Sequence, residues 1–301
     1  MKIYDLELKP IEYVEASSSE EIANLMATAR RPLIFSGIKQ DLEFLRAWDL
    51  NFLAKMDTKV PVQKPEADGV NYFIKYELMP MSEVVERINQ GDGVYIGAKK
   101  ITGPKGVRSD VDGLGNLADK MVIPKWIDIS RIHNANFWLG AGNNNTLLHY
   151  DAWDSVLLLG MGEKEFVVFP NTESPHMFQY SAFNFKALVE GRVLHSKIKP
   201  LSVQKPYQKK FSKAKGFRGT VKPGEVMFVP AGFWHFVEST GPNVAINFFI
   251  HTKDRRLHFR EPLRTFWIKD NITLWPVRWY WKLKAKAAKT YRHFFPKPVT
   301  N

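Results

Sequence analysis

Residues 136–151 contain the triplet His149-Tyr150-Asp151, in which an imidazole and a carboxylate stand two positions apart. In an extended strand, alternate side chains share a face, so the two point the same way, about 7 Å apart along the chain. They make two members of a 2-His-1-carboxylate set, which holds one face of a metal such as Fe(II) and leaves the opposite positions open. The triplet alone is common. A third ligand is offered by His235, at the end of Pro223-Gly-Glu-Val-Met-Phe-Val-Pro-Ala-Gly-Phe-Trp-His235, where a strand ends.

Other polar groups interrupt the apolar strands around these residues. Lys164 opens the strand-like run Lys-Glu-Phe-Val-Val-Phe. Its ammonium either reaches water or, if buried, meets an anion. Asn247 breaks the run Asn-Val-Ala-Ile-Asn-Phe-Phe-Ile over 243–250 and faces either backbone groups or a polar ligand. Thr146 lies three residues before His149. Trp138, Trp153, Phe233 and Trp234 either line a cavity or pack a core. His176, His195, His251, His258 and His293 have no partner at ligand spacing and read as surface or core residues.

The elements that must position these groups are mostly strands. Residues 135–141, 147–150, 154–160, 164–169, 225–229 and 243–250 read as short strands separated by glycine and proline turns. That pattern predicts a β-sandwich or barrel, mainly β with flanking helices. Ahead of it, helices are expected over 17–30, 42–54 and 81–90, with strands near 32–36, 71–76 and 94–97. Residues 101–120, with four glycines, read as a loop. Residues 170–220 form a weakly periodic insertion, and between residues 197 and 218 it carries eight Lys or Arg and no acid. After 254 the pattern becomes helical, over 255–268 and then 275–295. The domain expectation is therefore 1–250 for the β domain and 251–301 for a basic, aromatic helical extension.

Composition narrows the function classes. The 301 residues are 45% hydrophobic and 25% charged, ordinary for a globular protein. With no cysteine, a disulfide framework, a thiolate zinc site and a cysteine nucleophile are excluded. The N-terminus lacks a signal-peptide core, and no run reaches the ~18 apolar residues of a membrane span; the expectation is cytoplasmic, with peripheral membrane contact as an option. Of the net charge of +12, residues 251–301 supply +10, from 13 basic against 3 acidic groups.

Taken together, Trp138-Leu-Gly-Ala-Gly and Thr146-Leu-Leu-His-Tyr-Asp resemble the first metal-binding strand of the JmjC and cupin-like hydroxylases. That family includes the asparaginyl hydroxylase acting on hypoxia-inducible factor. The segment 223–235 is similar to the family's second motif, Pro-Gly-Asp-x-x-x-x-Pro-x-x-Trp-Trp-His. The resemblance implies a double-stranded β-helix, or jelly-roll, core with C-terminal helices. It implies Fe(II), 2-oxoglutarate and O₂ as cofactor and cosubstrates, with His149, Asp151 and His235 as iron ligands. Lys164, Thr146 and Tyr95 would meet the distal carboxylate of 2-oxoglutarate, and Asn247 would lie near it. Ser155 stands where some relatives carry an asparagine six residues after the first histidine, and is counted with the cosubstrate residues. The expected reaction hydroxylates a C–H bond of a protein, RNA or small-molecule substrate and yields succinate; lysyl demethylation is an option within the class. A non-catalytic metal- or small-molecule-binding barrel and a cupin-type sugar isomerase are the competing readings. For the tail, three partners are open: a second copy of the chain in a homodimer, an anionic membrane surface, or RNA.

Overall fold

Alternation of side chains along two long strands organises the molecule. The computed structural model describes residues 1–63, 76–110, 112–189, 192–252, 260–269 and 272. Twelve strands occur among them: β1 Leu8–Pro10, β2 Glu12–Glu15, β3 Leu33–Ser36, β4 Lys59–Gln63, β5 Tyr76–Pro80, β6 Tyr95–Thr102, β7 Ile132–Gly140, β8 His149–Tyr150, β9 Asp154–Phe169, β10 Gly216–Val221, β11 Val226–Val229 and β12 Trp234–Ile250.

β9 and β12 run antiparallel to each other for their whole length, from Ile250 opposite Asp154 to Trp234 opposite Phe169. Their two halves have different neighbours. The first half of β9 and the second half of β12 are flanked by β11 and β7, with β3 and β2 beyond β11 and β6, β4 and β5 beyond β7. The other halves are flanked by β10, then β1, and by β8. The result is two sheet layers joined through shared strands, the architecture of a double-stranded β-helix. The expected separate strands 154–160 and 164–169 are one strand bent at Gly162, and β12 bends beside it at Gly241.

Gly162 has φ +78°, and a Cβ there would lie 2.4 Å from the Pro242 carbonyl oxygen. Gly162→Ala is therefore expected to lower unfolding stability by about 1–3 kcal/mol, read as a shifted denaturant midpoint at unchanged slope.

Both layers bury both faces. Leu157, Leu159, Phe166, Val168, Met227 and Val229 point between them into one cluster. The alternate residues Val156 and Leu158 pack outward with Phe35, Trp48 and Phe137. Val167 and Phe169 pack the other way, with Phe236, Trp234, Ile3 and Phe211. Each buried aliphatic or aromatic side chain contributes roughly 1.5–3 kcal/mol of transfer free energy, so the three clusters hold the layers together.

Helices cover the first layer: α1 Ser19–Thr28, α2 Glu43–Arg46, α3 Leu50–Ala54, α4 Met81–Asn89 and α5 Gly115–Lys120. Ser18 caps α1, its hydroxyl accepting from the Glu21 amide. The helix expected over 42–54 is broken, because the Asp49 carboxylate accepts the Phe52 amide and starts α3 afresh. The loop expected over 101–120 is also corrected: β6 extends into it, and α5 forms where Leu114 and Leu117 bury completely.

The insertion contributes α6 Phe185–Val189 and α7 Lys205–Phe211, and its last residues pair as β10 rather than remaining irregular. Of the C-terminal helices, α8 Leu263–Ile268 is described. The helix expected over 275–295, the start of that expected over 255–268, and most of the strand expected over 71–76 lie outside the described residues. No described helix is long and apolar enough to cross a membrane.

Candidate metal and cosubstrate site

The pairing between β8 and the start of β12 sets His149 directly opposite His235. Asp151 follows β8, its carbonyl accepting the Gly232 amide in the turn that leads into β12. One ligand atom from each of these three side chains lies within 4.8 Å of the others. The rings are 4.2 Å apart between centroids, and His235 Nε2 stands 3.5 Å from Asp151 Oδ2.

Both imidazoles are oriented from behind. His149 Nδ1 lies 2.6 Å from the Leu147 carbonyl oxygen and His235 Nδ1 3.1 Å from that of Phe233. A carbonyl can only accept, so each Nδ1 carries the proton and each Nε2 keeps its lone pair toward the cluster. Burial, and then the neighbouring His149, hold His235 well below the usual imidazole range. Burial pushes the Asp151 carboxyl up, partly offset by His149. Two imidazoles and one desolvated carboxylate are a donor set that fits a divalent metal, whose charge would compensate the carboxylate.

A cavity of about 220 Å³ opens beside this cluster, lined by His149 and Asp151 and reaching Lys164 at its far end. Strand register makes the connection: His235, Val237 and Ser239 share the inner face of β12, and Ser239 pairs with Lys164 on β9. Four residues of strand separate His235 from Ser239, about 13 Å. Lys164 is 3% exposed. Its Nζ donates to Ser239 Oγ and Asn243 Oδ1, both at 2.7 Å. Neither acceptor is charged, and burial depresses the amine to about 7. No carboxylate pairs with it among the described residues, so the cavity offers a buried cation without an anion. A dicarboxylate such as 2-oxoglutarate fits that deficit, one end toward the metal ligands and the other at Lys164.

The remaining sequence-singled residues divide into wall and backing. Thr146, Tyr95 and Asn247 line the same cavity. Thr146 Oγ1 accepts the Val237 amide at 3.0 Å, which leaves its own proton to donate. Burial pushes the Tyr95 phenol up, so it stays protonated and can donate. Ser155 does not line the cavity; its hydroxyl donates to Asn247 Oδ1 at 2.9 Å and so orients the amide that does. Of the aromatics, Trp138 is a cavity wall, Phe233 belongs to the inner cluster, Trp234 to an outer one, and Trp153 stacks on His133 at 4.1 Å.

Three further residues complete the site. Ser239 was recoverable, since alternation from His235 puts it on the same face. Asn243, which joins Ser239 in holding Lys164, follows the Gly241-Pro242 bend and gave no such signal. His195, set aside as a surface or core residue, instead lines the cavity, its ring stacked 5.5 Å from that of His149. An isolated bridge between the two backbones brings it there from the insertion. Gly140 explains the close packing at the far end: a Cβ would meet Asn144 Oδ1 at 2.8 Å and the Tyr95 ring at 3.1 Å.

A double-stranded β-helix carrying two histidines and an aspartate that could hold a metal ion has the form of a cupin of the JmjC type. The chain belongs to the cupin-like domain family, whose profile matches residues 18–256. It is 21% identical over 259 residues to human tRNA wybutosine-synthesizing protein 5, covering 80% of this chain and 77% of that one. It is 28% identical over 127 residues to the human bifunctional peptidase and (3S)-lysyl hydroxylase JMJD7, covering 38% of this chain and 40% of the relative. Over 139 residues it is 30% identical to the lysine-specific demethylase JMJ32 of Arabidopsis thaliana, again 38% and 40% of the two chains. Relatives of this kind support oxygenase chemistry in general.

Proposed function

We propose that the chain is an Fe(II)- and 2-oxoglutarate-dependent hydroxylase. The observation that carries the reading is the buried Lys164 ammonium, without a carboxylate partner among the described residues, in the same cavity as the His149, Asp151 and His235 cluster. A barrel that only bound metal would have no use for such a cation, whose burial is costly. When bound, iron and 2-oxoglutarate supply the oxidising power: with O₂, the cosubstrate loses CO₂ to become succinate and one oxygen atom enters a substrate C–H bond.

The protein's part is positioning. His149 and His235 present Nε2 because their Nδ1 protons are committed to backbone carbonyls. Lys164, held by Ser239 and Asn243, fixes the far end of the cosubstrate, with Thr146 and Tyr95 as further donors. Asn247, oriented by Ser155, directs its amide into the cavity wall. Trp138, Leu157 and Phe249 keep water from the reacting groups.

Under anaerobic conditions, Fe(II) with 2-oxoglutarate is expected to raise the melting temperature more than either alone. Admitting oxygen should then release succinate, read by NMR. Stabilisation without any succinate would leave a binding barrel and end the hydroxylase reading.

A further inference from the structure

The insertion does more than cover the second layer. Residues Leu194 and His195 reach the cavity wall, and the insertion around them carries lysines and aromatic rings, with Glu173 at its edge accepting the Lys215 amide. The Tyr180 amide donates to the His195 carbonyl, and the Lys197 amide donates to that of Phe178. Lys197 Nζ lies 5.5 Å from the centre of the Tyr180 ring, and Lys210 Nζ 5.7 Å from that of Phe178. Phe178 in turn packs on Tyr207 of α7 at 4.6 Å, and Phe183 nearby is 68% exposed.

The charge here is one-sided. Between residues 197 and 218 there are eight Lys or Arg and no Asp or Glu. Lys197, Lys205, Lys209, Lys210 and Lys213 are all exposed. None of these five has a carboxylate partner among the described residues. Inside the mouth, Asp151 is the one carboxylate on the wall among the described residues, and it belongs to the metal cluster. A cationic side chain would therefore meet repulsion outside and no free anion within.

We infer that this face docks single-stranded nucleic acid and leads one unstacked base to the cavity mouth, an assignment of substrate class that rests on the proposed hydroxylase activity. Phosphates supply the missing counter-charge for the lysines. They also draw the ammonium groups off the Tyr180 and Phe178 rings, whose faces then stack on bases. An acidic peptide would satisfy the lysines and leave the rings unused, and a flat anionic membrane would not enter the mouth. A base must leave its stack to reach a buried site, and a single strand makes that step easy.

The test uses the full chain and fluorescein-labelled 20-nucleotide oligo(U) and oligo(dT), read by anisotropy across a salt series. Binding should weaken steeply with salt. The variant K197E/K209E/K210E should weaken it by about tenfold or more and flatten the slope of log K against log salt by about 2, at about 0.7 per lost phosphate contact on a single strand. Basal succinate release and melting temperature should be unchanged in that variant, since the three lysines lie outside the cavity. Reversing Lys282, Lys284 and Lys286 in the tail instead should leave most of the affinity.

Full affinity in the insertion variant, loss only on reversing the tail, or equal competition by poly-glutamate or phosphatidylserine vesicles would each overturn the docking surface. If the wild type binds oligonucleotide as described but releases no succinate, the hydroxylase reading fails and the surface stands.

Discussion

Asp151→Ala is expected to abolish metal-dependent stabilisation and to cut succinate release by more than about a hundredfold, beyond the loss seen when only a group supporting a ligand is removed. Asp151 is the one carboxylate of the cluster, and burial pushes it up by more than the neighbouring His149 offsets. In the metal-free protein that carboxylate is therefore a cost. Its removal should leave the melting temperature of the metal-free chain unchanged or slightly raised, while the increment produced by Fe(II) or Mn(II) disappears. A structural role alone would show the reverse, with lower stability in the absence of metal and a preserved metal increment. Retention of half the succinate release by Asp151→Ala would remove it from the site.

Lys164→Met should raise the 2-oxoglutarate concentration needed for turnover by about a hundredfold or more, with a small change in the iron requirement. Truncating one partner of a buried charge pair costs about 2–5 kcal/mol. The same residue predicts a pH signature in the absence of cosubstrate. Burial lowers its amine from the ordinary lysine range to about 7. Between that value and the unfolded-state value, near 10.4, the unfolded chain binds more protons than the folded one. Lys164 thus contributes a stability that rises with pH across this window, its penalty being fully present below pH 7 and relieved toward pH 10. In Lys164→Met the rise should flatten, measured as unfolding free energy from denaturant titrations at several pH values. With 2-oxoglutarate bound, the carboxylate restores the ammonium, so binding above pH 7 should take up a proton, visible as buffer-dependent heat in calorimetry. Equal slopes in the two proteins would show that Lys164 is not a desolvated amine.

Much of the fold and the cluster was legible because strand periodicity is local. Positions 149 and 151, or 235, 237 and 239, share a face whatever the rest of the chain does, and polar residues at such positions stand out against Val, Leu and Phe. The second motif placed His235 near a strand end, and the structure puts it at the second residue of β12. What stayed hidden depends on partners far away in sequence. Ser155 reads alone as a short donor, and only the register between β9 and β12 shows it behind Asn247 rather than in the cavity. His195 sits in a segment without periodicity, and its place follows from a single bridge to His149. The bends at Gly162 and Gly241 are hidden among the glycine and proline turns expected between strands, since a glycine's positive φ does not tell whether the chain leaves the sheet or continues into another layer.

The two strands shared by both layers have a further consequence for how the site can be lost. His235, Ser239, Asn243 and Asn247 all lie on β12, and Lys164 and Ser155 on β9 opposite them. Opening the seam between these strands separates the amine from its two acceptors, the serine from its amide, and the histidine from the strand beside it, all at once. Loops and the insertion can fray or exchange their amide protons individually, but the seam has no partly opened form that keeps a working half. The site should therefore persist undiminished up to the global unfolding transition and vanish with it, its seam amides exchanging only through complete unfolding.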